Sequence, residues 1–418
     1  MKFLKTTIIL LILGCTISNA SNYRAVAYLP SYRTSILSDI NFDLITHVMW
    51  AFANPDEQGK IIHSSRIDNF VNTVHNNNAL AILSIGGGGD YSWGNKVSIY
   101  KTLWSSEKSR TAFIHELMNY LRDHNFDGLD NDIEGNALAL SNFNVFSREL
   151  GDSLHASGFE YSAAIGVNGS WGVNRWDTST LQKLDFIMTM SYGGVGSWNW
   201  SSKTDDHTFT KMKNDMEYFL NNRGIAAHKI VGGIPFYSVE FPNSAQSNYD
   251  QFHQTICSIY SDPQFDTQDP FHSDTLETTE GHVVYINSIE TIEKKMDFCE
   301  DFGGIMIWEI GQDCYDGTVS LQDSMYAHMV EFKVGIKDLK NVLNFNLYPN
   351  PSIEKISLKY NQYTGLNFEI YNALGAKVKI GSIQNNESID IAELSRGHYV
   401  IKLINDQTEY GILPFIKK

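Results

Sequence analysis

The 418-residue sequence is short of basic residues, of cysteine and of long apolar runs, and each shortage excludes a class of function. Lysine and arginine number 32 against 48 aspartates and glutamates, for a formal net charge of -16 at pH 7 and a pI near 5.2. Phosphate backbones and anionic lipid repel such a chain, so neither nucleic acid nor a charged membrane surface is its expected partner. The four cysteines, Cys15, Cys257, Cys299 and Cys314, fit no standard zinc spacing. Removal of a leader would leave three, enough for one disulfide and one spare thiol, without indicating which pair forms. Beyond the first 20 residues no apolar run is long enough to cross a bilayer, and no low-complexity tract or internal repeat is evident.

The leader itself has Lys2 and Lys5, an apolar run from Thr6 to Leu13, and small residues at Ser18 and Ala20. That pattern reads as a secretion signal over residues 1–20; Ile12-Leu13-Gly14-Cys15 is a weaker, lipoprotein-like alternative. Aromatic residues make up 12% of the chain and suit a neutral polymer of sugar rings, whose apolar faces stack on flat side chains.

The length fits a barrel of about 250 residues plus something smaller. Apolar, strand-like runs recur at Arg24 to Pro30, Leu44 to Ala53, Leu80 to Ile85, Tyr161 to Val167, Phe186 to Tyr192, Ile230 to Tyr237 and Gly304 to Trp308. Near-continuous apolarity is the mark of parallel strands covered on both faces. Helical stretches separate them, among them one capped by Ser106 and others over Asn142 to Ser157, Phe209 to Asn222 and Ser288 to Phe302. An eighth strand is the acidic stretch from Gly128 to Glu134, so the expectation is an α/β fold, a (β/α)8 TIM barrel over residues 21–335. After a linker at 336–343 the pattern changes to short alternating runs, an all-β, sandwich-like domain over 344–418.

The acidic stretch, Phe126-Asp127-Gly128-Leu129-Asp130-Asn131-Asp132-Ile133-Glu134-Gly135, puts four carboxylates into eight residues between apolar flanks. On a strand, Asp130, Asp132 and Glu134 line one face at intervals of roughly 6 to 7 Å, with Leu129 and Ile133 turned the other way. Like charges so placed raise one another's proton affinity, which is what a general acid needs. The order also approaches a calcium loop, but Ser141 stands where the closing Glu belongs. A solvated acidic loop is weakened by Phe126 and Leu129.

F-D-G-x-D-x-D-x-E resembles the signature of family 18 glycoside hydrolases, the chitinases and endo-β-N-acetylglucosaminidases, on the fourth strand of their TIM barrel. Ser84-Ile85-Gly86-Gly87 resembles the family's S-x-G-G, Met190-Ser191-Tyr192 its M-x-Y, and Gly303 to Glu309 its eighth strand. The resemblance implies catalytic roles for Glu134 as acid and then base, for Asp132 and Asp130 behind it, and for Tyr192 on the substrate acetamide. It implies a sugar-binding lining of Trp308, Met190, Phe52, Tyr28, Ser84, Gly86 and Gly87, with Tyr28 and Ser84 steadying the acids, and neither metal nor cofactor. Four departures are visible: Asn131 replaces an apolar residue, Ile133-Glu134-Gly135 has no aromatic beside the acid, Gly193 replaces an acidic or amide residue, and the tryptophan after the glycines is missing, with Trp93 nearby. They bear on substrate choice. Trp198 and Trp200 offer further stacking surfaces, and Asp127, of opposite parity, is structural. The stretch from Ser238 to Asp301 is too short for the family's full α+β insertion, which is absent or reduced and implies a shallow, endo-acting groove.

The end of the chain resembles the sorting domain of the type IX secretion route through Leu347-Tyr348-Pro349-Asn350-Pro351, Ile370 to Val378, Leu394 to Tyr399 and Lys417-Lys418. A carbohydrate-binding module is the alternative, against which stands the lack of an aromatic row. These resemblances imply a secreted monomer, extracellular or held on the outer surface, whose partners are chitin or another N-acetylglucosamine glycan and an export machinery. A non-catalytic chitin-binding lectin is the remaining reading; retention of Glu134 speaks against it.

Overall fold

The structure, a computed structural model, describes residues 23–167, 172–194, 201, 203–242, 256–260, 271–315, 320–333, 346–359, 366–372, 377–405 and 408–418. The leader with Cys15, the linker, Trp198 and Trp200 lie outside them. Eight parallel strands close into a barrel: β1 (Arg24–Pro30), β2 (His47–Ala51), β3 (Leu80–Gly86), β4 (Gly128–Asp132), β5 (Glu160–Ile165), β6 (Phe186–Thr189), β7 (Ile230–Pro235) and β8 (Gly304–Trp308). Each pairs with the next, and β8 returns to β1 through Arg24 opposite Gly304. Among the described residues no helix is long and apolar enough to cross a membrane.

Strand alternation sorts the apolar residues into two layers. Val26, Met49, Ile82, Met188, Val231 and Met306 fill the barrel interior. Ala25, Leu29, Leu83, Leu129, Ile165 and Ile305 point outward and pack with the helices. Helix Glu107–Asp123 starts at Ser106, whose hydroxyl accepts from the Ser109 N–H, and leads into β4. Helix Phe209–Arg223 starts at Thr208 and ends at Gly224 in the left-handed conformation.

Between β7 and β8 the chain makes an excursion. Val239–Phe241, Val283–Tyr285 and Thr275–Glu277 form a small antiparallel sheet accompanied by the short helix Ile256–Tyr260. The stretch expected to lack or shorten the α+β insertion thus holds, among its described residues, a small sheet and a short helix. Cys257 of that helix is bonded to Cys314, which ties the excursion to the segment after β8, while Cys299 stays a free, buried thiol.

The C-terminal region folds as two antiparallel sheets. Asn346–Tyr348, Lys355–Lys359 and Ser388–Asp390 form one; Lys377–Ile383, Leu366–Asn372, Gly397–Asn405 and Thr408–Lys417 form the other. Ile356, Leu358, Phe368, Ile370, Ile401 and Phe415 share one core between them. Three strands had no clear signal in the sequence, the first being Asn346–Tyr348, only three residues long. Lys377–Ile383 is an edge strand whose Val378 and Ile380 are exposed, and Thr408–Lys417 is interrupted by Gly411 and Pro414.

The disulfide closes a loop of 57 residues. Replacing Cys257 and Cys314 together by alanine should lower unfolding stability by about 2–4 kcal/mol in a denaturant titration. An unchanged midpoint and slope would show that the excursion is held by packing alone.

Candidate active site

The carboxylates of β4 point into the barrel. Register places Asp130 between Ser84 of β3 and Ser162 of β5, and Asp132 beside Gly86. Fully buried Asp130 accepts three hydroxyl hydrogen bonds: Tyr28 at 2.7 Å and Ser84 at 2.6 Å on one oxygen, Ser162 at 2.9 Å on the other. Burial raises its proton affinity and the three hydroxyls oppose that rise.

Asp132 is buried with far less help. Burial, then Glu134, then Asp130 push its carboxyl well above the usual carboxylate range, and its Oδ1 has no hydrogen-bond partner among the described residues. Glu134 lies two residues past the strand end, half-buried, at the start of the short helix Gly135–Leu138. Its backbone N–H donates to Ser92 Oγ at 3.1 Å, and burial raises its carboxyl to about 7. The row thus runs from a hydrogen-bonded acid at the bottom, through a buried acid with little such help, to a half-buried one near 7 at the mouth.

The glycines after β3 admit this closeness. A Cβ on Gly86, at φ +104°, would lie 2.2 Å from the Asp132 carbonyl oxygen, and one on Gly87, at φ +81°, 2.5 Å from the Phe52 ring. Gly87 N–H donates to the Asp132 carbonyl at 2.8 Å, and Asn54 exchanges two hydrogen bonds with the Gly86 backbone. These two glycines meet the acids and Phe52 through backbone only.

Aromatic side chains form the floor. The Trp308 ring lies 5.3 Å from Tyr28, edge to face, and 6.0 Å from Phe52, stacked. Met190 packs half-buried on the same interior cluster. Tyr192 is buried beside Tyr237, ring centroids 6.1 Å apart and perpendicular, and burial raises its hydroxyl's proton affinity. Glu309, next to Trp308, pairs with Arg33 at 2.8 Å, and burial raises its carboxyl to about 7.

Asn131, expected to bear on substrate choice, does not reach the cleft. It faces outward and donates to Ser147 Oγ at 3.2 Å and the Tyr161 hydroxyl at 3.0 Å, which is how an amide fits among apolar neighbours. Asp127 accepts from the Ala81 N–H and pairs with His75, a structural position. Trp93 is 46% exposed and covers Gly135, where a Cβ would meet its ring at 2.4 Å. Sequence reasoning missed Ser162, Tyr237, Asn54 and Ser92. Ser162, alone polar in an otherwise apolar run, and Tyr237, at a strand's carboxyl end, carried a usable signal.

Set beside known proteins, residues 24–313 match the model for glycosyl hydrolases family 18. The chain belongs to that family. Residues 346–412 match a secretion system C-terminal sorting domain. Probable chitinase 2 of Drosophila melanogaster is 24% identical over 371 residues, 75% of this chain and 74% of that one. An endochitinase of Manduca sexta is 25% identical over 59% of this chain, which spans about half (51%) of that protein. The fold is that of the crystal structure of the family 18 chitinase ChiB from the chitin utilization locus of Flavobacterium johnsoniae. The TM-score is 0.64 at 28% identity, over 74% of this chain and 95% of that one.

Replacing Asn131 by alanine removes the donor shared by Ser147 and the Tyr161 hydroxyl and opens a void behind β4. It should lower stability by about 1–3 kcal/mol, measured by thermal or urea unfolding. Turnover should stay within about twofold, because the residue faces away from the acids.

Proposed function

We propose that this family 18 glycoside hydrolase cleaves the β-1,4 bonds between N-acetylglucosamine units of chitin with retention of configuration. The observation that carries this reading is the acid row: Asp130 held by three hydroxyls, Asp132 with an oxygen unpartnered among the described residues, and Glu134 with a carboxyl near 7 at the mouth. In a double displacement through a protein nucleophile, a second carboxylate about 5 Å away attacks the sugar; family 18 is among the exceptions. Here the substrate's own acetamide oxygen attacks the anomeric carbon.

Glu134 gives its proton to the glycosidic oxygen and then takes one from the water that opens the cyclic intermediate. Asp132 turns its free oxygen to the acetamide N–H, orienting that group and stabilising the positive charge it acquires. Asp130 sets the charge of Asp132 from below. Tyr192 donates to the acetamide oxygen, and Trp308 carries the distorted ring with Phe52, Met190 and Tyr28 around it. The exposed edge of Trp93 suits a more distant sugar, and the small excursion suits an open groove. Exported with its leader removed, the protein is taken through the type IX route by the sorting domain and acts outside the cell.

As the acid, Glu134 must be protonated in the free enzyme. Its raised affinity keeps that form present up to about 7, so kcat/KM should fall as pH rises through about 7. Glu134→Gln should lower kcat about a thousandfold and remove that limb while oligomer binding persists. Mass spectrometry of products from chitin oligosaccharides and from an N-glycoprotein identifies the substrate. Short N-acetylglucosamine oligomers support the reading; intact glycans released from the glycoprotein move it to an endo-β-N-acetylglucosaminidase; wild type as inert as Glu134→Gln would leave a lectin.

A further inference from the structure

Against residues 205–207 the protein buries a lysine. Lys295 sits on helix Ile289–Cys299 with no exposed surface. Its Nζ donates to the His207 carbonyl at 2.5 Å and to Asn287 Oδ1 at 2.6 Å, with Asp205, Asp206 and Asp274 close enough to stabilise its charge. A buried ammonium is tolerated only where its protons are bonded and its charge balanced, so this contact fixes residues 205–207 firmly.

What residues 205–207 touch is the backing of Tyr192. Asp206 Oδ2 accepts the Gly194 N–H at 2.6 Å, two residues beyond Tyr192. The His207 ring meets Tyr237 perpendicularly at 5.0 Å, and Tyr237 meets Tyr192 perpendicularly at 6.1 Å. Among the described residues the Tyr192 hydroxyl itself meets only the Met306 sulfur, at 3.5 Å, a weak acceptor. Where that hydroxyl points is therefore set by its ring and backbone rather than by a partner of its own.

We propose that Lys295 is a positioning residue for Tyr192, holding residues 205–207 so that Asp206, through Gly194, and His207, through Tyr237, aim the Tyr192 hydroxyl into the cleft. The proposal rests on the assignment of Tyr192 to the acetamide. A lysine that served only the core would slow the enzyme whatever stands at position 192. One that acts through Tyr192 loses its effect once the hydroxyl is gone.

The test is a mutant cycle in the full-length protein, with kcat and KM on a chromogenic N-acetylglucosamine oligomer. Lys295→Met and His207→Leu should each lower kcat about tenfold with KM nearly unchanged, since displacement of a distant support is felt in the aligned complex. Combined with Tyr192→Phe, each should change kcat by less than about twofold. Equal losses in both backgrounds would overturn the proposal, as would a slow Tyr192→Phe beside fully active Lys295→Met and His207→Leu. Should Lys295→Met fail to fold, Lys295→Arg, which keeps the charge but displaces the donors from the His207 carbonyl and Asn287, takes its place in the same cycle with the same outcomes. A Tyr192→Phe variant with wild-type kcat would sink the Tyr192 assignment and this proposal with it.

Discussion

Keeping Asp130, Asp132 and Glu134 together in a barrel that disfavours each of their charges is the constraint on which the rest of the site depends. Asp130 is accommodated by hydroxyls from three strands, β1, β3 and β5, so its position depends on the register of half the barrel. Among the described residues Asp132 has one oxygen without a partner, and burial raises the Glu134 carboxyl. Because these groups bind protons more tightly folded than unfolded, the native state holds the larger number of protons between the two titrations. Their contribution to stability is fullest below the ordinary carboxylate range and is lost as pH rises, for Glu134 up to about 7. The site is thus maintained against stability near neutral pH, by the packing of two apolar layers around it.

Much of this arrangement was legible in the chain because it rests on period. Residues 128–134 alternate with a period of 2, which is enough to put Asp130 and Asp132 inward and Leu129 and Ile133 outward. The same rule makes Asn131 a residue of the outer layer, and reading it as a cleft residue overlooked its parity. Seven apolar runs around the acidic one were enough for the closed barrel. What periodicity does not carry is contact between distant segments. Ser162, Tyr237 and the Lys295 anchor act across 32 residues or more, and the choice of Cys314 over Cys299 for Cys257 depends on where the excursion folds. The edge strand Lys377–Ile383 escaped notice because its Val378 and Ile380 face solvent, so no buried face imposed a pattern.

The two regions of the chain divide the work. The barrel carries the acids and the aromatic floor. The C-terminal sheets have a core of their own and match a sorting domain, so the match to a secretion signal lies in a fold separate from the acids. Acidic composition agrees with both, since a neutral polysaccharide makes no demand for positive charge.

In the proposed reaction the acetamide of the substrate, rather than a directly attacking water, reaches the anomeric carbon first. Proton NMR of the first product from N-acetylglucosamine hexamer, recorded before mutarotation, reads this out through the new reducing end. Acetamide attack gives the β-anomer from the outset, relaxing slowly to the equilibrium mixture. The α-anomer appearing first would mean inversion by a directly activated water and would contradict the roles given to Asp132, Tyr192 and Glu134.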